Sequence, residues 1–195
     1  MGRSRDGPIT RWTTSPLPVM FADMDIPPLT TARLTLRGPA PEDAATYSAF
    51  YGDAEASMFY GGPLPPPLAW RKLAFDIGHW TLRRFGMWSV IDNASRTMVG
   101  GCGIVWPEGW PRPELTWWIM PSARHNGYAR EASLAAIAYG YDVLGWERVE
   151  THMRDDNLPA RHLVMSLGGD LLIRETFPDG IARDVFTLPR GTASL

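Results

Sequence analysis

The sequence predicts a single α/β domain. Segments with strand and helix patterns alternate along the chain, in the order strand, two helices, three strands, helix, strand, helix and two strands. That order is typical of a mixed sheet covered by helices. A length of 195 residues with 45% hydrophobic content suffices for one substantial core but is small for two domains. We expect an irregular, proline-punctuated N-terminal extension over 1–28, one domain over 29–190 and a tail over 191–195.

The first part of the domain predicts a strand, two helices and a hairpin. Residues 34–37 alternate as a strand does, and a proline followed by two acids opens a helix over 41–51. A stiff proline-rich corner precedes a helix over 68–84, in which apolar residues recur at helical spacing. Strands over 86–91 and 98–106 flank a polar turn. Three glycines in the second of these strands indicate a bulge or a close backbone approach.

The last part predicts a strand, a helix and a closing hairpin. Residues 148–153 alternate Val, Thr and Met with Arg, Glu and His, which gives a strand with two chemically different faces. A proline in the first turn opens a short helix over 158–167. Strands over 170–177 and 182–188 are joined by a Pro-Asp-Gly turn.

The most informative stretch lies between these parts, where strand 114–120 leads through a loop into an alanine-rich helix over 128–144. The loop reads Arg-His-Asn-Gly-Tyr-Ala over 124–129, and its glycine lets the backbone approach a ligand where the helix begins. Free N–H groups and the positive helix end favour an anion there, most naturally a diphosphate. The spacing differs from the ATP-binding and dinucleotide-binding glycine loops. A simple turn into a helix would show the same spacing.

Arg124, Gly127 and Ala129 fill the fixed positions of (R or Q)-x-x-G-x-(G or A), the pyrophosphate loop of the GNAT superfamily of acyl-CoA N-acyltransferases, which the sequence resembles. The flanking Glu-Leu-Thr-Trp-Trp-Ile-Met-Pro and the later Asp-Asn-Leu-Pro-Ala-Arg-His resemble the branch that includes ribosomal-protein alanine N-acetyltransferases. The resemblance covers about 29–188. It implies a GNAT-like mixed, mostly antiparallel sheet of six to seven strands, flanked by about four helices and splayed between strands 114–120 and 148–153.

The resemblance implies an enzyme that transfers an acetyl group from acetyl-CoA to a primary amine by direct attack in a ternary complex. It leaves open whether the acceptor is a protein N-terminus, a lysine, an aminoglycoside, an amino acid or a polyamine. Homodimers are frequent in the family. A non-catalytic acyl-CoA-binding sensor is the alternative, because Ala160 replaces a common serine and helix 158–167 lacks the tyrosine that some branches use as the acid.

The resemblance also implies which residues bind the cofactor: the end of strand 114–120, the loop and the start of helix 158–167. These residues are Ile119, Met120, Arg124, His125, Asn126, Gly127, Tyr128, Ala129, Asn157 and Arg161. Asparagine also caps helices well, so Asn157 has a purely structural alternative. An exposed helical arginine likewise needs no function, which leaves the role of Arg161 open.

The candidate base is Glu114, which begins the strand before the loop, close to where several GNAT enzymes carry a proton-accepting glutamate. Glu150 and His152, on the facing strand, are its rivals. Trp110, in a proline-framed loop, and Trp117 are expected to line an acceptor pocket that favours an apolar or aromatic amine. Cys102 is expected to be a small buried residue rather than a nucleophile.

Composition excludes several other classes of protein. A net charge of −2 without a long run of one sign argues against a nucleic-acid groove. One cysteine and four scattered histidines offer no metal-ligand spacing, so no metal is expected. No apolar stretch approaches the ~20 residues that a spanning helix requires, so no membrane partner is expected. A reducing cytoplasm is the simplest location.

Overall fold

The computed structural model describes residues 25–191, in which eight strands and four helices follow the predicted order. They are β1 (Leu29–Thr30), β2 (Leu34–Arg37), α1 (Ala44–Gly52), α2 (Pro66–Arg83), β3 (Met87–Asp92), β4 (Met98–Val105), β5 (Glu114–Ile119), α3 (Tyr128–Asp142), β6 (Val149–Met153), α4 (Leu158–Ser166), β7 (Asp170–Thr176) and β8 (Ala182–Leu188). Short 3-10 turns precede α1 and α3. The predicted α/β class is confirmed.

The strands form two sheets rather than one. Five strands pair in the order β1-β2-β3-β4-β5, and three pair in the order β6-β8-β7. Every ladder between the described strands is antiparallel. β5 and β6 approach each other with Cα atoms within 8 Å but share no ladder, so the two sheets part at the predicted splay. The additional eighth strand is β1, which at two residues is too short to show any period.

Large aromatic residues fill the core on both faces of the larger sheet. One cluster contains Trp80 and Trp88, whose rings meet edge to face with centroids 4.9 Å apart, and the buried residues of α3. The other lies under α1, where Tyr47 and Phe50 pack on Trp118 of β5 with centroids 5.1 and 4.6 Å away. The second cluster therefore fixes β5, the strand that borders the splay, against α1.

The glycines of β4 allow a close approach between neighbouring strands, as predicted. A Cβ on Gly103 would lie 2.2 Å from the backbone oxygen of Gly86, and one on Gly101 would lie 2.5 Å from Nε1 of Trp118. The β3–β4 register also shifts between Val90 and Ile91. The backbone beside Gly103 and the Trp118 indole beside Gly101 thus occupy the space that side chains on β4 would need.

Packing on the core begins a few residues before position 29. Ile26 packs against the main cluster, and the carbonyl of Pro27 accepts a hydrogen bond of 2.9 Å from Nε1 of Trp88. The rest of the predicted extension, 1–24, and the tail over 192–195 lie outside the described residues.

Candidate functional site

Two cavities open along the gap between β5 and β6. We call the first the loop cleft; it measures about 650 Å³ and is lined by the loop before α3 and by α4. We call the second the aromatic cavity; it measures about 360 Å³ and is lined by β5, β6 and the loop that carries Trp110. The residues that line both are Phe59, Tyr60, Trp117, Asn157 and Ala160. The two cavities therefore meet at one junction, beside β5.

The loop before α3 is shaped to accept an anion. Gly127 has φ +77° and immediately precedes the helix, and no side chain caps the first turn. A Cβ there would adopt a strained conformation and would come within 3.4 Å of Arg33 Nη2. The first N–H groups of α3 are thus left for a ligand in the loop cleft, which fits a diphosphate at the positive helix end.

Arg33, which the sequence analysis did not single out, braces this loop from the turn before β2. Its Nη1 donates a hydrogen bond of 2.9 Å to the backbone oxygen of Asn126, and its guanidinium pairs with Glu131 at 2.7 Å. Asn126 closes the loop from within, since its side-chain amide donates to the carbonyls of Ala123 and Arg124. The loop is therefore held from both sides before any ligand arrives.

Most of the residues predicted to bind the cofactor line the loop cleft. Those that do are Ile119, Arg124, His125, Gly127, Tyr128, Ala129 and Asn157. Met120 and Asn126 line a separate groove instead, on the side of the loop that faces α1. Arg161 pairs with Asp184 of β8 at 2.7 Å and is not among the residues that line the cleft. Its ion pair explains this arginine without a ligand.

Arg124 and Asn157 each make structural contacts at the cleft. Arg124 donates from Nε to the carbonyl of Ile119 and from Nη2 to that of Ala56, at 3.3 and 3.4 Å. Asn157 caps α4, because its Oδ1 accepts from the backbone N–H of Ala160 at 3.2 Å. The cap fixes Asn157 at the junction, and no partner of its amide nitrogen lies among residues 25–191.

Glu114, Trp110 and His152 meet in the aromatic cavity. The Nε2 atom of His152 lies 3.2 Å from Oε2 of Glu114 and accepts a hydrogen bond of 3.3 Å from Nε1 of Trp110. The side chain of Glu114 is 21% exposed, whereas that of His152 is 4% exposed and packs at a tilt against Phe177 with ring centroids 4.2 Å apart. Only Glu114 of this pair is thus open to a substrate.

Burial sets the protonation of both groups. It raises the pKa of Glu114 to about 8, although the positive charge of Arg183 opposes the shift. Burial, assisted by the charges of Arg183 and Arg112, lowers the pKa of His152 to about 3. At neutral pH the histidine is therefore uncharged. The pKa of Glu114 lies near neutral pH, as is best for a general base that works there.

Glu150, the other rival base, lies outside both cavities. Its carboxylate pairs with Arg112 at 2.6 Å, and the same guanidinium pairs with Glu175 of β7 at 2.8 Å. Arg112 follows Trp110 in the loop before β5, so these two ion pairs fasten that loop to the smaller sheet. Glu150 is explained by this structural contact.

Tyr60 stands at the junction, although nothing in the sequence pattern pointed to it. Its hydroxyl donates to the carbonyl of Trp117 at 2.5 Å, and its ring packs edge to face on Phe50 with centroids 5.3 Å apart. Burial raises its pKa, so the phenol keeps its proton at neutral pH. Among the described residues that line both cavities it is the only one with a hydroxyl group.

Three further observations concern the part of the chain that the structure describes. Cys102 is fully buried in the core, and burial raises the pKa of its thiol to about 12, so it stays protonated. Residues 25–191 contain no cluster of three potential metal ligands. No helix within that range is both long and apolar enough to cross a bilayer.

Known proteins resemble this chain in fold and in sequence. A family model described as an acetyltransferase (GNAT) domain matches residues 33–170. YoaA of Bacillus subtilis strain 168, named an uncharacterized N-acetyltransferase, is 24% identical over 145 residues, which cover 73% of this chain and 82% of YoaA. A solved acetyltransferase from Agrobacterium tumefaciens strain C58 superposes with a TM-score of 0.76 at 25% identity, covering 84% of this chain and 94% of that one.

The ribosomal-protein-S5-alanine acetyltransferase of Vibrio fischeri shares the fold at 10% identity, with a TM-score of 0.64 over 85% of this chain and 98% of that one. Members of the matched family use acetyl-CoA as the acyl donor. The family model covers well over half of the chain and includes the loop, Glu114 and the splay. The chain therefore belongs to the GNAT family and is an acyl-CoA-dependent N-acetyltransferase, as the loop motif predicted.

Proposed function

We propose that this protein transfers the acetyl group of acetyl-CoA to a primary amine by direct attack in a ternary complex, with Glu114 as the general base. The acceptor in this proposal is a small-molecule amine or a protein N-terminus. The observation that carries the proposal is the junction between the two cavities. One cavity offers an anion-binding helix end and the other a carboxyl with a raised pKa, so two substrates can meet beside β5.

The loop cleft holds the acyl donor in this proposal. The N–H groups at the start of α3 bind its diphosphate, and Gly127 lets them approach it. The gap between β5 and β6 receives the arm that carries the thioester, and Asn157 borders that arm at the junction. These residues hold the reacting carbonyl in place and exclude water from it, which reduces the entropic cost of the encounter.

Glu114 and Tyr60 move the protons. Glu114 removes a proton from the amine as the amine attacks, and its raised pKa makes the carboxylate a stronger base than an exposed glutamate. Tyr60 turns from the carbonyl of Trp117 and protonates the departing sulfur. The phenol replaces the tyrosine that α4 lacks. His152 lies beside Glu114 at the cavity wall, where Trp110 donates a hydrogen bond to its Nε2 atom.

Thiol release from acetyl-CoA, measured with a panel of primary amines, tests the proposal. The panel contains lysine, apolar amino acids, a peptide with a free N-terminus, spermidine and an aminoglycoside. We expect at least one amine to release free CoA, with mass spectrometry showing an added acetyl group on that amine. If acetyl-CoA raises the melting temperature but no amine releases CoA, the protein binds acyl-CoA without catalysis and the proposal is wrong.

A further inference from the structure

The aromatic cavity has a second wall, formed by α1 and α2, that takes no part in the chemistry above. Lys72, Phe75 and Asp76 line it, and their spacing of three and four residues places them on one face of α2. The Nζ atom of Lys72 lies 5.5 Å from the ring centroid of Tyr51, which also lines the cavity. Because the face of an aromatic ring attracts an ammonium group, this contact positions Lys72 at the cavity wall.

Among residues 25–191, Lys72 is the one cation lining this cavity that is not engaged in an ion pair. Arg183 pairs with Asp179 at 2.5 Å, and Arg154 pairs with Asp156 at 2.7 Å. Within residues 25–191, no carboxylate lies within 4.0 Å of the Lys72 ammonium.

Asp76 does not neutralise Lys72, although it follows one turn later. Its carboxyl is 6% exposed and accepts a hydrogen bond of 2.7 Å from the hydroxyl of Tyr47. Burial raises its pKa to about 7, against the influence of Lys72. Near neutral pH, therefore, Glu114 and Asp76, the two carboxyls among the described residues that line the aromatic cavity, are largely or partly protonated. Since Arg183 and Arg154 are already paired, Lys72 gives the cavity a positive charge that no carboxylate within 25–191 balances.

We infer that the acceptor is a compact apolar amine that also bears a carboxylate, and that Lys72 binds this carboxylate. This inference rests on the proposed function, because it assigns the aromatic cavity to the acceptor. Aromatic walls select the apolar body, and the uncommitted ammonium selects the acidic group. A cavity of about 360 Å³ is near the lower end of the roughly 300–1,000 Å³ range of ligand pockets, which suits a small molecule. Polyamines and aminoglycosides would bring further cations into a positive cavity.

Binding of the acid alone tests the carboxylate site without requiring catalysis. The probe is 3-phenylpropionate, which has the aromatic body and the carboxylate but no amine, and its effect on melting temperature is measured with the full chain. We expect stabilisation of the wild type and of Arg71→Met, and none of Lys72→Met. Arg71 is the matched control, because it lies on the same helix, is exposed and lines neither cavity.

Turnover of matched amines tests the acceptor class. The pairs are L-phenylalanine with phenethylamine and 4-(aminomethyl)benzoate with benzylamine. In each pair only the first amine bears a carboxylate, which lies near the amine in L-phenylalanine and far from it in 4-(aminomethyl)benzoate. Of the two amines that bear a carboxylate, we expect the better substrate to exceed its carboxylate-free partner at least tenfold in kcat/KM. Lys72→Met should remove most of that difference. Arg71→Met should preserve it.

Three results would overturn the inference. They are a preference for the amine without a carboxylate in both pairs, spermidine as the best acceptor, or stabilisation by 3-phenylpropionate that persists in Lys72→Met. Failure of the proposed function looks different, because acetyl-CoA then raises the melting temperature while no amine of any charge releases CoA. Binding of 3-phenylpropionate still decides the Lys72 site in that case.

Discussion

Replacing Glu114 with glutamine keeps the shape of the side chain and removes its basicity. With a pKa of about 8, Glu114 is ionised to about 9% at pH 7 and about 91% at pH 9. A general base contributes at least about 100-fold when fully ionised. We therefore expect the wild type to exceed Glu114→Gln about 10-fold in kcat/KM at pH 7 and about 90-fold at pH 9.

The assay is the initial rate of CoA release with one acceptor, compared for both proteins across this pH range. Deprotonation of the free amine affects both proteins alike, so the ratio of their rates isolates Glu114. Glu108→Gln is the control, because Glu108 lies in the same loop region and its side chain is 95% exposed. A ratio near one, or a large ratio that does not change with pH, would refute the assignment of Glu114 as the base.

The same raised pKa predicts an effect on stability that needs no turnover. Folding raises the pKa of Glu114 from 4.5 to about 8, so the folded state binds this proton more tightly than the unfolded chain. The contribution to stability is present below pH 4.5 and is lost as the pH rises to 8. Solvent reduces the effect, because the side chain is 21% exposed. We therefore expect the free energy of unfolding of the wild type to fall by on the order of 2 kcal/mol relative to that of Glu114→Gln across this window. Urea unfolding at pH 5 and pH 8 measures it.

Three further variants test the rest of the site. Gly127→Val should abolish stabilisation by acetyl-CoA, because φ +77° strains a β-branched residue at the helix start, whereas Gly145→Val at φ +67° should not; equal stabilisation of both would refute the loop assignment. Tyr60→Phe should lower kcat about tenfold with acetyl-CoA affinity unchanged within about twofold, and an unchanged kcat would exclude Tyr60 as the acid. Arg112→Met should cost about 2 kcal/mol in urea unfolding, because it leaves the buried Glu150 with only Arg148, at 3.8 Å, as an ion-pair partner; a loss below about 0.5 kcal/mol would contradict this.

The parts of the site that the sequence predicted share one property: they lie on consecutive residues whose local order carries the signal. The loop with Gly127 is recognisable because turn, glycine and helix start follow one another. Glu114 was proposed for the site because it begins the strand that leads into this loop, and it lines the aromatic cavity. The fold class followed for the same reason, from the order of periodic segments.

The residues that sequence reasoning missed or misplaced reach the site through tertiary packing. Tyr60 bonds to a carbonyl 57 positions later, and its own segment has neither a helix nor a strand period. In the sequence, Lys72 resembles any charged residue on a helix. Only the structure shows that α2 forms a wall of the aromatic cavity. Arg161, whose role the sequence left open, instead pairs with Asp184 of β8 and does not line the cleft. No local pattern encodes which distant side chain will be the neighbour.

The glycines of β4 restrict how the aromatic cavity could be reshaped during evolution. A Cβ on Gly101 would meet the indole of Trp118, whose ring also lines the aromatic cavity. A larger residue at position 101 thus becomes acceptable only together with a smaller one at position 118, and that pair of changes would enlarge or reshape the pocket. Gly103 offers no such route, since its Cβ would meet backbone atoms of Gly86 and Met87. A route that changes both positions therefore requires the smaller residue at 118 to arrive first.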